Sequence, residues 1–242
     1  MQDRFVTGKV VQVTQFTGGC FAIKVQAPLP PYYAGQFTKL GLMIDGKLVS
    51  RAYSFINHPS DKFQEFYLVE VADGLLSPRL KALNTGDDIY LYKNANGLIT
   101  HQRLPDADNL WFWVTGTGVG IALSLLKDPQ IRQKYKEFVV LHGVSDAGKI
   151  HYLSELSQMG ENVHYYPVLS RETNPDYLHG RITHFYQELE TQIPQQLTPE
   201  TSHIILCGNP AMITDANTLL SEHGFRKHRT REPGHITMER YW

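Results

Sequence analysis

The chain changes its pattern once, near Asn109, and that change limits its fold more than any other feature. Beyond it, Leu110–Val114 reads as a buried strand. It runs into Gly116-Thr117-Gly118-Val119-Gly120 and then an apolar helix, Ile121–Leu126. Strand patterns return at Phe138–Val144, Val163–Leu169 and His203–Cys207. Helical stretches at Lys149–Met159 and Thr183–Thr191 lie between them, and Ala211–His223 follows. Alternating strands and helices predict a parallel, doubly wound sheet. Before Asn109 the pattern is different. Phe5–Gln15, Cys20–Val25, Gln36–Met43, Leu48–Ile56, Phe66–Val71 and Asp88–Tyr92 read as short strands, separated by turns rich in Gly, Pro and Asn. That spacing predicts a barrel or sandwich. One short helix is expected at Ser77–Leu83, with Ser77 as its cap and Pro78 at its first position. The expected division is a β domain over 1–102 and an α/β domain over 108–242.

Composition removes several classes of function. With 242 residues and a net charge of −1, the chain does not read as a dedicated nucleic-acid binder. No apolar run approaches the ~20 residues of a membrane span. The segment MQDRFVTGKV lacks the apolar core of a signal peptide. Two cysteines, Cys20 and Cys207, cannot hold an iron–sulfur cluster or a structural zinc unaided. Reduced thiols in a cytoplasmic protein are the expectation. The eleven histidines show no metal-ligand spacing, so no metal is expected.

Several stretches carry chemistry. Arg51-Ala52-Tyr53-Ser54 combines a guanidinium, a flat ring and a hydroxyl, which suits a flavin nucleotide. On a strand, Arg51 and Tyr53 share one face and Ala52 and Ser54 the other, so a turn or twist is needed to bring all four to one ligand. Alone, the stretch reads equally well as an ordinary edge strand. Gly116–Gly120 sits where a strand meets a helix and suits a phosphate, although its G-x-G-x-G spacing is not the dinucleotide fingerprint. A tight turn is the other reading. Cys207-Gly208-Asn209-Pro210 closes a strand in the same way, with a buried packing cysteine as the alternative. Ser170-Arg171, with Arg181 ten residues on, can clamp a phosphate monoester or simply be solvated charge. Asp73–Pro78 suits a diphosphate or an ordinary helix start. The final Tyr241-Trp242 either closes a core or covers a flat ligand.

In this order, GQFTKLGL, RAYSF, FYLVEV, LSPRL, GTG, SRET, GRI, CGNP and ERYW resemble the ferredoxin–NADP⁺ reductase family over essentially the whole chain. The nearest likeness is to the bacterial ferredoxin/flavodoxin type ending in Tyr-Trp. The resemblance implies a six-stranded antiparallel barrel that binds FAD and a parallel-sheet α/β domain that binds NADP(H). It implies that Arg51 holds the FAD diphosphate, Tyr53 stacks on the flavin and Ser54 bonds near its N5, with Ala52 alongside. Tyr67, Leu75, Leu76, Ser77 and Thr117 complete that site, and Tyr241 and Trp242 cover and gate it. Ser170, Arg171 and Arg181 surround the NADP 2′-phosphate, with Val144 and Ser145 nearby. Asn209, Pro210, Ala211 and Asp215 make further NADP contacts. Cys207 and Glu239 lie where nicotinamide meets flavin, and with Ser54 and Tyr241 they make up the expected catalytic group.

The chain departs from the family at Ser145, where related chains carry an arginine. NADPH is therefore expected to be preferred over NADH by a reduced margin. The implied activity is electron transfer between NADPH and an acidic ferredoxin or flavodoxin, by a monomer. The basic cluster Arg226, Lys227, His228, Arg229 and Arg231 either steers that partner or is a solvated helix end. Competing readings are a reductase of free flavin, a quinone or an oxygenase component, and a non-catalytic flavin-binding subunit.

Overall fold

The computed structural model describes residues 4–187 and 193–240. Its first half is a six-stranded antiparallel sheet in the order β4-β3-β6-β1-β2-β5. The strands are β1 (Phe5–Gln15), β2 (Cys20–Gln26), β3 (Phe37–Ile44), β4 (Lys47–Ser54), β5 (Gln64–Val69) and β6 (Asp88–Tyr92). The two outer strands meet at one point, an antiparallel bridge between Phe55 and Phe66. That bridge closes the sheet towards a barrel, as expected. Inside lie Phe21, Ile23, Val25, Leu40, Phe55, Phe66 and Leu91.

The second half is a six-stranded parallel sheet in the order β10-β9-β8-β7-β11-β12. Here β7 is Asn109–Thr115, β8 Glu137–Val144, β9 Val163–Leu169, β10 Leu178–His179, β11 Ser202–Gly208 and β12 Ile236–Arg240. The chain winds outward from β7 to β10, then returns to the other side of β7 for β11. The switch point is therefore the gap between the carboxyl ends of β7 and β11, where such sheets bind ligands. Leu110–Val114 are all fully buried, which suits a central strand covered on both faces.

The helix α1 is Ser77–Lys81, α2 Val119–Leu126, α3 Pro129–Lys134, α4 Leu153–Ser157 and α5 Pro210–Glu222. Every residue of α2 is buried. A helix apolar all round must be covered on all sides, and α2 lies between the sheet and the barrel. Its side chains share one core with Cys20, Ile56 and Tyr67 from the barrel and Phe112 and Val140 from the sheet. The Ser124 hydroxyl accepts from the Gly35 amide at 3.1 Å and donates to the Asn57 carbonyl at 3.2 Å.

Several elements differ from expectation. The single helix expected over Lys149–Met159 is a 3-10 turn, Ala147–Lys149, followed by the short α4. Between them His151 stacks on Phe16 of the barrel, with centroids 4.7 Å apart, and this packing holds the backbone extended. The helix expected over Thr183–Thr191 is a 3-10 turn over Ile182–Gln187, and its remainder lies outside the described residues. Ser77 is not a cap. It is the first helical residue, and its Oγ accepts from the Val71 amide at 2.9 Å. That bond also ends β5 early, at Val69. The sequence reading missed α3, capped by Asp128, and the strands β10 and β12.

Candidate functional site

Away from the Phe55–Phe66 bridge, β4 and β5 part, and a cavity of about 330 Å³ lies along the seam. Arg51, Ala52, Tyr53 and Ser54 line it from β4, and Tyr67, Leu68 and Val69 from β5. A seam between two diverging edges meets both faces of the last residues of β4. That removes the alternation problem posed by Arg51–Ser54 on a regular strand. Gly74, Leu75 and Leu76 enter from the loop before α1, Ser77 from its first turn, Thr117 from the turn before α2, and Glu239 and Arg240 from β12. The Arg51 side chain is exposed and donates to the Ser50 carbonyl at 2.8 Å. Burial raises the Tyr53 phenol. Burial and the Cys20 thiol raise Tyr67 further, so both rings stay neutral. Val71 and Leu75 are 58% and 51% exposed on the rim, an apolar surface left open to a ligand.

Glu239 is half-buried in the wall, and burial pushes its carboxyl up to about 7. Cys207 is fully buried on the neighbouring strand, in register with Glu239. Phe37, Val69, Val71 and Arg240 also line the cavity, although the sequence reading did not choose them. Tyr241 and Trp242 lie outside the described residues.

The second constellation lies at the carboxyl edge of the parallel sheet. Gly208 ends β11 at φ +123°, and a Cβ there would collide with Thr115 Oγ1 at the end of β7. A Cβ on Gly118 would come within 2.9 Å of the Cys207 carbonyl. Two glycines thus let the ends of the central strands approach each other. Thr115 Oγ1 accepts from the Asn209 amide at 2.9 Å. Asn209 Oδ1 accepts from Ala211 N at 2.8 Å and Met212 N at 3.4 Å, capping α5. The first amides of α5 are therefore already engaged. Ala211 and Asp215 are exposed one turn apart on this helix, and Pro210 is half-buried.

No side chain caps α2 or the Gly116–Gly118 turn before it. That turn is held instead from below. His142 on β8 donates from Nε2 to the Gly116 carbonyl at 2.7 Å and accepts at Nδ1 from the Tyr165 hydroxyl at 2.7 Å. Burial drives His142 down to about 4, so it stays neutral and keeps this pattern. Among eleven histidines, nothing in the sequence marked it out.

Farther out, Val144 ends β8. Its carbonyl accepts from the Ser170 amide at 2.9 Å and the Ser170 hydroxyl at 3.2 Å. The Arg171 amide donates to the Ser145 carbonyl at 3.0 Å. Arg181 follows Gly180, whose amide bonds Leu169 at the end of β9. The structure thus brings Val144, Ser145, Ser170, Arg171 and Arg181 to one edge. The basic stretch 226–231 is elsewhere. Arg226 and Lys227 pair with the start of β12, at the opposite end of the strands from Glu239 and Gly208.

This fold and these two sites define a class: an antiparallel barrel joined to a parallel α/β sheet, with a cavity lined by residues of both halves. Residues 113–218 match the oxidoreductase NAD-binding domain family. The flavodoxin/ferredoxin–NADP reductases of Escherichia coli (strain K12) and Shigella flexneri are each 42% identical over 98% of this chain and 99% of their own. A crystal structure of a ferredoxin NADP⁺ reductase from Neisseria gonorrhoeae, with bound FAD and NADP, superposes with a TM-score of 0.94. It is 32% identical and is covered over 99% of both chains. The chain belongs to the flavodoxin/ferredoxin–NADP reductase family and is an oxidoreductase.

Proposed function

We propose that the seam cavity holds FAD, that the sheet edge takes NADPH, and that the chain passes electrons between NADPH and ferredoxin or flavodoxin. The chain is a flavin-dependent NADP reductase of these carriers, by its family and its FAD- and NADP-bound relative. The observation that carries the placement is the convergence of Arg51–Ser54, Leu75–Ser77, Thr117 and Glu239 on one cavity, drawn from both halves of the chain. The lining fits FAD. An exposed guanidinium meets a diphosphate, neutral Tyr53 and Tyr67 meet a flat ring, and apolar Val71 and Leu75 are left for a ligand to cover.

Bound FAD supplies the change between two-electron and one-electron transfer. The protein supplies position and electrostatics. Arg51 anchors the diphosphate, and Tyr53 fixes the plane of the ring. The Ser54 hydroxyl bonds the ring edge, and Ala52 gives the backbone close approach. Thr117 carries the phosphate-binding turn to the same cavity. Glu239, poised near neutrality beside Cys207, orients the nicotinamide and can hold a proton there. Gly116–Gly118 and the α2 amino end face the NADP diphosphate. Asn209, Pro210, Ala211 and Asp215 border the crevice, and Val144, Ser145, Ser170, Arg171 and Arg181 surround the adenosine 2′-phosphate. Covering and gating the flavin falls, by the family resemblance, to Tyr241 and Trp242, which lie outside the described residues.

The functional units are 1–102 for FAD and 108–242 for NADP(H). The protein acts as a monomer, and a cytoplasmic setting is in keeping with the free, buried thiols of Cys20 and Cys207. The basic stretch 226–231 lies a strand's length from the cavity, at the opposite end of β12.

The test is an anaerobic titration of purified protein with NADPH and then NADH, followed by flavin absorbance. Bleaching by NADPH, with slower bleaching by NADH, is expected. A protein that takes up no FAD would refute the seam placement. Equal bleaching by both would refute the 2′-phosphate clamp.

A further inference from the structure

We propose that Lys149 is the cation with which this chain recognises the 2′-phosphate of NADPH beside Ser145, making it a specificity-determining residue together with Arg171. That role rests on the placement of the adenosine end at Ser170 and Arg171 given above. The 3-10 turn Ala147–Lys149 folds the lysine back over the end of β8. Its Nζ donates to Ser145 Oγ at 2.6 Å and lies 3.5 Å from the Asp146 carboxylate. The Arg171 amide bonds the Ser145 carbonyl at 3.0 Å, so the arginine starts from the same point. Glu172 is tied to the same turn, its carboxylate accepting from the Ala147 amide at 2.9 Å. Lys149 and Arg171 therefore start from one edge, with Arg181 following β10 on the same edge, where Asp146 and Glu172 are the opposing charges. The Ser145 hydroxyl donates to the Asp146 carboxylate at 2.6 Å, so a phosphate dianion there would draw both Lys149 and that hydroxyl away from Asp146.

The barrel fixes where the lysine points. Gly18 has φ +63°, and a Cβ on it would lie 2.7 Å from Lys149 Cγ and 3.0 Å from Cε. The lysine stem thus runs along a groove that only glycine leaves open. The Thr17 hydroxyl donates to the Gly148 carbonyl, and Phe16 stacks on His151 just beyond. Ordering a lysine normally costs it much of its rotamer freedom. Packing along Gly18 removes part of that cost before ligand arrives. Asp146 works the other way, since its charge repels a phosphate. The position thus holds a compact, braced lysine opposed by a carboxylate, which narrows the preference for NADPH without abolishing it.

Calorimetry of adenosine 2′-monophosphate and adenosine 5′-monophosphate binding to the FAD-loaded protein tests this. Lys149→Gln is expected to weaken the 2′-monophosphate by roughly tenfold, the loss of one charged hydrogen bond. Binding of the 5′-monophosphate should not change, Lys149→Arg should restore the 2′ affinity, and Asp146→Asn should tighten it. The ratio of kcat/KM for NADPH over NADH should fall with Lys149→Gln by the same factor. Unchanged 2′ binding in Lys149→Gln, with a clear loss in Arg171→Gln, would overturn the role of Lys149 alone. If Arg171→Gln also changes nothing, the placement of the 2′-phosphate fails and the role of Lys149 with it. Equal weakening of both monophosphates would reduce Lys149 to a structural brace and equally overturn the proposal.

Discussion

The seam cavity and the sheet-edge crevice are built on opposite plans. The cavity is made of side chains. Arg51, Tyr53, Tyr67 and Leu75 face a gap that two edge strands leave where they part. The crevice is made of backbone. Gly118 and Gly208 let β7 and β11 close on each other, and loops after the strands bring the charges. A side-chain site tolerates change one residue at a time, because each group makes its own contact. A backbone site fails as a unit, because one added carbon moves two strand ends. The helix α2 joins the two plans, since its residues pack on both the barrel and the sheet.

The sharpest way to break this contrast is Gly208→Ala. The new methyl group meets Thr115, and the φ of +123° suits only glycine. A loss of about 3 kcal/mol in unfolding free energy, read from denaturant melts, is expected, with loss of adenosine 2′-monophosphate binding. FAD affinity of the folded fraction should survive. If it falls equally, α2 transmits the damage and the two sites are one unit. Arg51→Ala is the mirror experiment. It should weaken FAD by roughly thirtyfold, about 2 kcal/mol, in a fluorescence titration. Adenosine 2′-monophosphate binding should not change, because Arg51 is exposed on the far side of the seam.

The two plans also explain what the sequence disclosed. Side-chain sites leave words in a sequence. Arg51–Ser54, Leu75–Ser77 and Glu239 lie apart in the chain, yet each was recognisable and all reach one cavity. The parallel sheet was equally legible, because its central strands are apolar on both faces and alternate with helices. What stayed hidden depends on contacts between distant segments. His142 matters because Gly116 and Tyr165 lie on either side of it, 26 and 23 residues away. Lys149 looked like the start of a helix, but Phe16 and Thr17 hold that stretch as a turn. The strand β12 was missed because it is short and outermost, and it forms by pairing with the distant β11, Ile236 opposite Ile204. Asn209 was read as a ligand contact, and its carbonyl oxygen serves as a cap.

Titration should separate the regions in opposite directions. Burial lowers His142 to about 4 and His203 to about 3, both on the sheet. Their contribution is fully present above pH ~6.5, the free histidine value, and is lost as pH falls towards 4. Glu239 on the cavity wall is raised from 4.5 to about 7. Its contribution is fully present below 4.5 and is lost as pH rises to 7. In FAD-free protein, Glu239→Gln should therefore flatten the alkaline side of the stability profile, by on the order of 2 kcal/mol. The acid side should not move. A profile that flattens on both sides would mean that Glu239 and the histidines titrate as one system.

The smallest effect is at Ser77, which distinguishes two accounts of the loop that carries Leu75 and Leu76 to the cavity. If Ser77 were a helix cap, Asp would serve as well or better, since both accept from helical amides. In the structure Ser77 is 6% exposed and accepts from the Val71 amide across the loop. A carboxylate at that point would be a buried charge without a cation opposite it. Ser77→Ala should cost about 1 kcal/mol, the net worth of one hydrogen bond, and Ser77→Asp should cost more. Both should weaken FAD and leave adenosine 2′-monophosphate binding alone, because the loop lines the seam cavity and packs on the barrel core. Equal stability of Ser77→Asp and the parent would restore the cap and remove the tie that holds the FAD side of the cavity closed.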